Sequence, residues 1–87
     1  MTDLHPTRTR LDLLQDAKDG LIVADRRGDV VWRDERLAGI YNPITATRTK
    51  VTARARELEQ AEWIVLGGSG SYNLTDAGRE ILRAANR

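Results

Sequence analysis

Residues 49–63 read TKVTARARELEQAEW, the longest stretch of the chain with one continuous helical pattern. Val51, Ala55 and Leu58 recur at helical spacing and make a narrow apolar seam. Opposite that seam, at about 100° per residue, fall Thr49, Thr52, Ala53, Arg56 and Gln60. This outer stripe is short, polar and free of acids. Lys50 and Arg54 flank it on one edge and Arg48 on the other, while Glu57, Glu59 and Glu62 come only in the second half. The pattern predicts a helix over about 48–62. A helix dipole favours acids first and bases last, so this helix would set its bases against its own dipole. Backbone and bases together would then favour an anion near its N-terminus.

The charge of the whole chain sharpens the point. Net charge is +1 over 87 residues. Residues 1–20 sum to −1, residues 21–44 to 0, residues 45–56 to +4 and residues 57–87 to −2. The positive excess therefore sits in one block, as an electrostatic footprint for a polyanion would. A solvated helix start with no partner fits the same charges.

Working outward, residues 65–75 read VLGGSGSYNLT. A Walker phosphate loop needs lysine after its last glycine, and none is present. A nucleophile elbow, G-x-S-x-G, needs glycine at position 71, where Ser71 stands. A dinucleotide fingerprint needs a third glycine where Asn73 stands. The only histidine is His5, near the N-terminus, so no base is at hand to activate a serine. The glycines and serines are read as the tip of a hairpin. The chain has no cysteine, which excludes disulfides and thiolate metal sites, and its carboxylates lack calcium-loop spacing. Neither catalytic residues, nor a metal, nor a cofactor is expected. A chain this short buries only ~60–65% of its unfolded surface and has little core to spare for a deep catalytic pocket. No signal peptide or membrane-length apolar run is seen, so a cytoplasmic protein without a membrane partner is expected. Twelve arginines against two lysines point to a high-GC bacterial or phage genome.

The remaining segments complete the order. Leu11, Leu14 and Ala17, widened by Leu13, predict a helix over about 8–19, capped by Thr7 and stopped by Gly20. Strands are expected near 21–25 and 29–33 around a turn ending in Gly28, with Trp32 packed on the core. Asp34 can cap a short helix running through Leu37 and Ala38 to Tyr41, ended by Asn42-Pro43, and a structured loop fits these residues nearly as well. Thr75 and Asp76 open a last helix with Ala77, Ile81 and Ala85 as its apolar edge, widened by Leu82. Trp63, Leu74 and Leu82 are assigned to packing, Tyr72 to an amphipathic edge, and Gly78 to close helix packing. Residues 1–6 are expected to be a disordered tail and residues 7–87 one domain.

VTARARELEQAEWIVL, a glycine-containing tip and then YNLTDAGREIL resemble the second half of a bacterial winged helix-turn-helix domain, over residues 49–82. Two departures stand out. Residues 21–44 hold a hairpin and an irregular segment in place of a clean first helix of the motif, and Glu62 stands where the pattern usually carries glycine. The resemblance implies an α+β winged helix-turn-helix fold with three to four helices, an inserted N-terminal β-hairpin and a C-terminal two-stranded wing at about 63–74. It implies sequence-specific binding of double-stranded DNA, with Thr49, Thr52, Arg56 and Gln60 nearest the base edges in the major groove. Arg48, Lys50 and Arg54 would meet phosphates, and Ser69 to Ser71 would approach a neighbouring phosphate or the minor groove. A small transcriptional regulator or a phage or plasmid control protein is implied, with a homodimer formed through residues 1–12 or the last helix. The alternative is a winged-helix adaptor that binds a protein and no DNA.

Overall fold

The structure is a computed structural model and describes residues 5–34 and 48–86. Among them are three helices and two antiparallel sheets, a small α+β domain. The segment expected as a short helix or loop after Asp34 lies outside the described residues, as does most of the expected N-terminal tail.

Helix α1, Arg8–Lys18, begins where Thr7 accepts a hydrogen bond from the Arg10 amide. It ends at Gly20, whose φ of 79° and amide bond to the Ala17 carbonyl make a left-handed stop. Leu13, Leu14 and Ala17 are buried beneath it. Strands β1, Ile22–Ala24, and β2, Val31–Asp34, form the first hairpin. At its turn the Asp25 carboxylate accepts from the Asp29 amide at 2.8 Å, and Gly28 adopts a φ of 74°.

The principal correction concerns residues 48–50. Arg48–Lys50 are not the first turn of a helix; they form a third strand, β3, paired antiparallel with β2, with Trp32 opposite Lys50 and Asp34 opposite Arg48. Helix α2 is shorter than expected and runs Thr52–Gln60. Thr49 and Val51 are β-branched and weak helix formers, and the edge of β2 offers their backbones partners. Val51 then turns the chain into α2, its amide donating to the Val31 carbonyl at 2.9 Å. Much of the apparent conflict between bases and helix dipole disappears, because Arg48 and Lys50 belong to a strand.

Pairing β3 also settles which way β2 faces. Ile22 and Val31 share the inner face and are wholly buried. Trp32 is on the outer face, half-buried, and so does not pack on the core as expected; the face of Val31 does. The Arg48 guanidinium and the Lys50 ammonium lie over its ring, 4.5 and 5.5 Å from the centroid. Such contacts at exposed sites are worth roughly 0.5–1 kcal/mol each.

Strands β4, Ile64–Leu66, and β5, Tyr72–Leu74, make the second hairpin, closed by the Gly67 amide on the Ser71 carbonyl at 2.9 Å. Helix α3, Asp76–Ala85, starts at Thr75, which accepts from the Gly78 amide at 3.1 Å. Its buried side is Gly78 and Leu82 with Ile81 beside them, whereas Ala77 and Ala85 are exposed. The apolar edge thus differs from the one the alanine spacing predicts. Gly78 has no side chain and allows α3 to sit directly on the Trp63 carbonyl, which rotates the helix onto that face. Tyr72 is fully buried at the centre of the core and is no edge residue.

Candidate nucleic-acid interface

Strands β2 and β3 meet the start of α2. Strand β3 delivers Arg48, Thr49 and Lys50, all exposed. The inner seam of α2, Val51, Ala55 and Leu58, is buried as its spacing predicts. That orientation exposes Ala53, Arg54, Glu57 and Gln60. Among the described residues Lys50 and Arg54 have no acidic partner, whereas Arg48 has one, Asp34 at 3.7 Å. Glu57 is turned to α1 and held by Arg10 at 2.5 Å, leaving Arg54 as the uncompensated charge on the first turn of α2.

Two residues expected to read bases are occupied within the protein. The Thr52 hydroxyl accepts a hydrogen bond from the Val31 amide at 3.0 Å and so ties α2 to β2. The Arg56 guanidinium donates to Glu59 at 2.9 Å and also to the Gly28 carbonyl. Both terminal nitrogens of Arg56 are thus engaged within the protein, which fixes the direction of its guanidinium. Glu59 in turn accepts from the Tyr72 hydroxyl at 3.4 Å. A chain of polar contacts therefore runs from the first hairpin turn through α2 to the tip end of the second hairpin. Burial and then the nearby Glu59 charge raise the Tyr72 pKa above its ordinary value of 10.0. The hydrogen bond to Glu59, followed by the proximity of Tyr72, raises that of Arg56, which stays charged.

The structure separates the expected site into parts. Arg48 and Lys50 stand together on β3, Arg54 and Gln60 on α2, and Ser69 and Ser71 on the second hairpin. Ser69 is exposed at the tip, while Ser71 is partly buried and forms a bridge with Val23 of β1. That bridge, with the Ala24 amide donating to the Gly70 carbonyl at 2.8 Å, sets the two hairpins side by side. It brings Arg26 and Arg27 to the walls of a groove shared with Gly67–Gly70. Neither arginine is among the expected site residues. Their signal was local, two adjacent bases at a turn ending in glycine, but their neighbour lies some forty residues away in the chain.

Among the described residues no group of three or more His, Cys, Asp or Glu is placed to hold a metal ion. No described helix is long and apolar enough to cross a membrane. Comparison of the chain with protein-family models, with curated proteins and with solved structures found no match.

Proposed function

We propose that this domain is a winged-helix module that binds double-stranded DNA, as a small transcriptional regulator or a phage or plasmid control protein acting in the cytoplasm. The observation that carries the reading is the run of exposed cations at the junction of β3 and α2: Arg48, Lys50 and Arg54. In this reading α2 enters the major groove. Its outward residues Ala53 and Gln60 face base edges, Gln60 as the side chain able to pair with adenine. Arg48, Lys50 and Arg54 neutralise phosphates, with Thr49 between them on the strand. The β4–β5 hairpin serves as the wing and presents Ser69, with Ser71 beneath it. Arg56 and Thr52 support this surface by fixing the first hairpin against α2. A single module of this size has limited affinity, so binding as a homodimer on a two-fold site belongs to the proposal.

The second reading, an adaptor for a protein partner, has its own observation: Val65 and Leu66 on β4 are exposed by 50% and 39%. A salt titration with a mixed-sequence duplex separates the two. DNA binding predicts tight association at ~50 mM salt and a steep loss as salt rises, with a log–log slope of about −0.9 per phosphate neutralised. Replacing Lys50 and Arg54 by alanine should flatten that slope by about 1.8 units. Undetectable binding at ~50 mM salt would transfer the reading to the adaptor.

A further inference from the structure

We infer that the β1–β2 turn and the β4–β5 tip form one groove for a backbone phosphate of duplex DNA, in which Arg26 and Arg27 supply the charge that the glycine-serine tip lacks. The inference rests on the DNA-binding reading and adds to it a second contact, built from a part of the chain with no place in the expected interface.

The tip itself, Gly67 to Ser71, contains neither lysine nor arginine. Its turn is closed by the Gly67 amide on Ser71 and the Gly70 amide on Gly67. The Gly68 and Ser69 amides have no acceptor within the protein among the described residues, and Gly68 and Ser69 are exposed. Two neighbouring N–H groups without acceptors suit an anion but hold it weakly, since each carries only a partial charge. A phosphate contact of useful strength needs a full positive charge nearby.

The first hairpin provides it. Arg26 and Arg27 are exposed, have no acidic partner among the described residues, and line the same groove as Gly67–Gly70. Two acids stand close by, Asp25, which itself lines the groove and is turned into its own turn, and Asp29. One Asp25 carboxylate oxygen accepts from the Asp29 and Val30 amides, at 2.8 and 3.3 Å. Asp29 lies outside the groove lining. The relative position of the two walls is fixed by the Ala24–Gly70 hydrogen bond and by the Val23–Ser71 bridge. A Cβ at Gly70 would stand 3.9 Å from the Ala24 carbonyl oxygen, so the backbones are already close. The Arg56 bond to the Gly28 carbonyl fixes the same turn to α2, so helix and groove are held as one unit.

The test compares three proteins in salt titrations with a mixed-sequence duplex: wild type, the R26A/R27A double variant and the K50A/R54A double variant. Arg26 and Arg27 hold no described side-chain contact, so their removal should leave the thermal melt unchanged. The expected result is a slope flattened by about 1.8 units in R26A/R27A, the loss of two phosphate contacts. In wild type the Gly68 and Ser69 amide resonances should shift on adding duplex, and in R26A/R27A they should shift markedly less. If wild type binds, and R26A/R27A keeps both its slope and its amide shifts, the groove is overturned and the interface at β3 and α2 stands. Absence of those amide shifts in bound wild type overturns it equally. If wild type does not bind duplex at ~50 mM salt, the DNA reading itself falls and the groove with it.

Discussion

Gly78 of α3 lies against the backbone of Trp63 so closely that a Cβ there would overlap the Trp63 carbonyl oxygen and stand 3.0 Å from its carbon. The same carbonyl accepts the Thr75 amide at 3.0 Å, and the Thr75 hydroxyl donates to the Glu62 carbonyl. The turn after α2 and the start of α3 are thus joined by one backbone bond and one from the Thr75 side chain, with no room for a methyl at Gly78.

Gly78→Ala should therefore destabilise the domain, although alanine is ordinarily the better helix former. Overpacking against a backbone atom that cannot move aside costs roughly 1–3 kcal/mol, more than the ~1 kcal/mol of helix propensity gained. Chemical denaturation of the variant checks this. A gain in stability would mean that α3 slides freely over Trp63.

Glu62 adopts a φ of 63°, left-handed, at the position after the C-cap of α2. The Trp63 amide bonds to the Leu58 carbonyl and the Glu62 amide to the Glu59 carbonyl, the pattern of a Schellman motif. Glycine fits that conformation without strain, so Glu62→Gly should raise stability by roughly 0.5–1 kcal/mol. The measurement is the shift of the denaturation midpoint at unchanged slope.

Tyr72 has a pKa raised in the folded state by burial and by Glu59. The folded state thus keeps its phenolic proton longer than the unfolded chain does. Its contribution is fully present below about pH 10 and is lost as pH rises through the raised native value. Thermal melts of wild type should fall along an alkaline limb, and Tyr72→Phe should flatten that limb. Equal alkaline slopes in the two proteins would show that Tyr72 does not carry the effect.

Arg56→Ala removes the donor to both Glu59 and Gly28. Its loss should lower thermal stability and loosen the first hairpin turn, seen as faster amide exchange at Asp29 and Val30. On DNA it should weaken binding similarly across unrelated sequences. A loss confined to one base position, with the melt unchanged, would restore Arg56 to the role of base reader.

Amphipathic spacing alone fixes α1 and the buried seam of α2, because Leu13, Leu14, Ala17, Val51, Ala55 and Leu58 recur at the helical period. Turn and cap chemistry is equally local: Thr7, Gly20, Gly28 and Thr75 stand where their conformations are needed. Local pattern failed where a neighbour distant in the chain decided the outcome. Residues 48–50 could follow the helix or an open strand edge, and only the presence of β2 selects the strand. Strand alternation leaves open which face of β2 turns inward, and Trp32, expected on the core, holds two cations of β3 on the outer face. The candidate interface divides in the same way. Its basic block was visible as composition, whereas the engagement of Arg56 and the placing of Arg26 and Arg27 beside the second hairpin were not. Periodicity records which side of an element avoids water; which elements meet is a property of long-range backbone pairing, and the tertiary structure alone decides it.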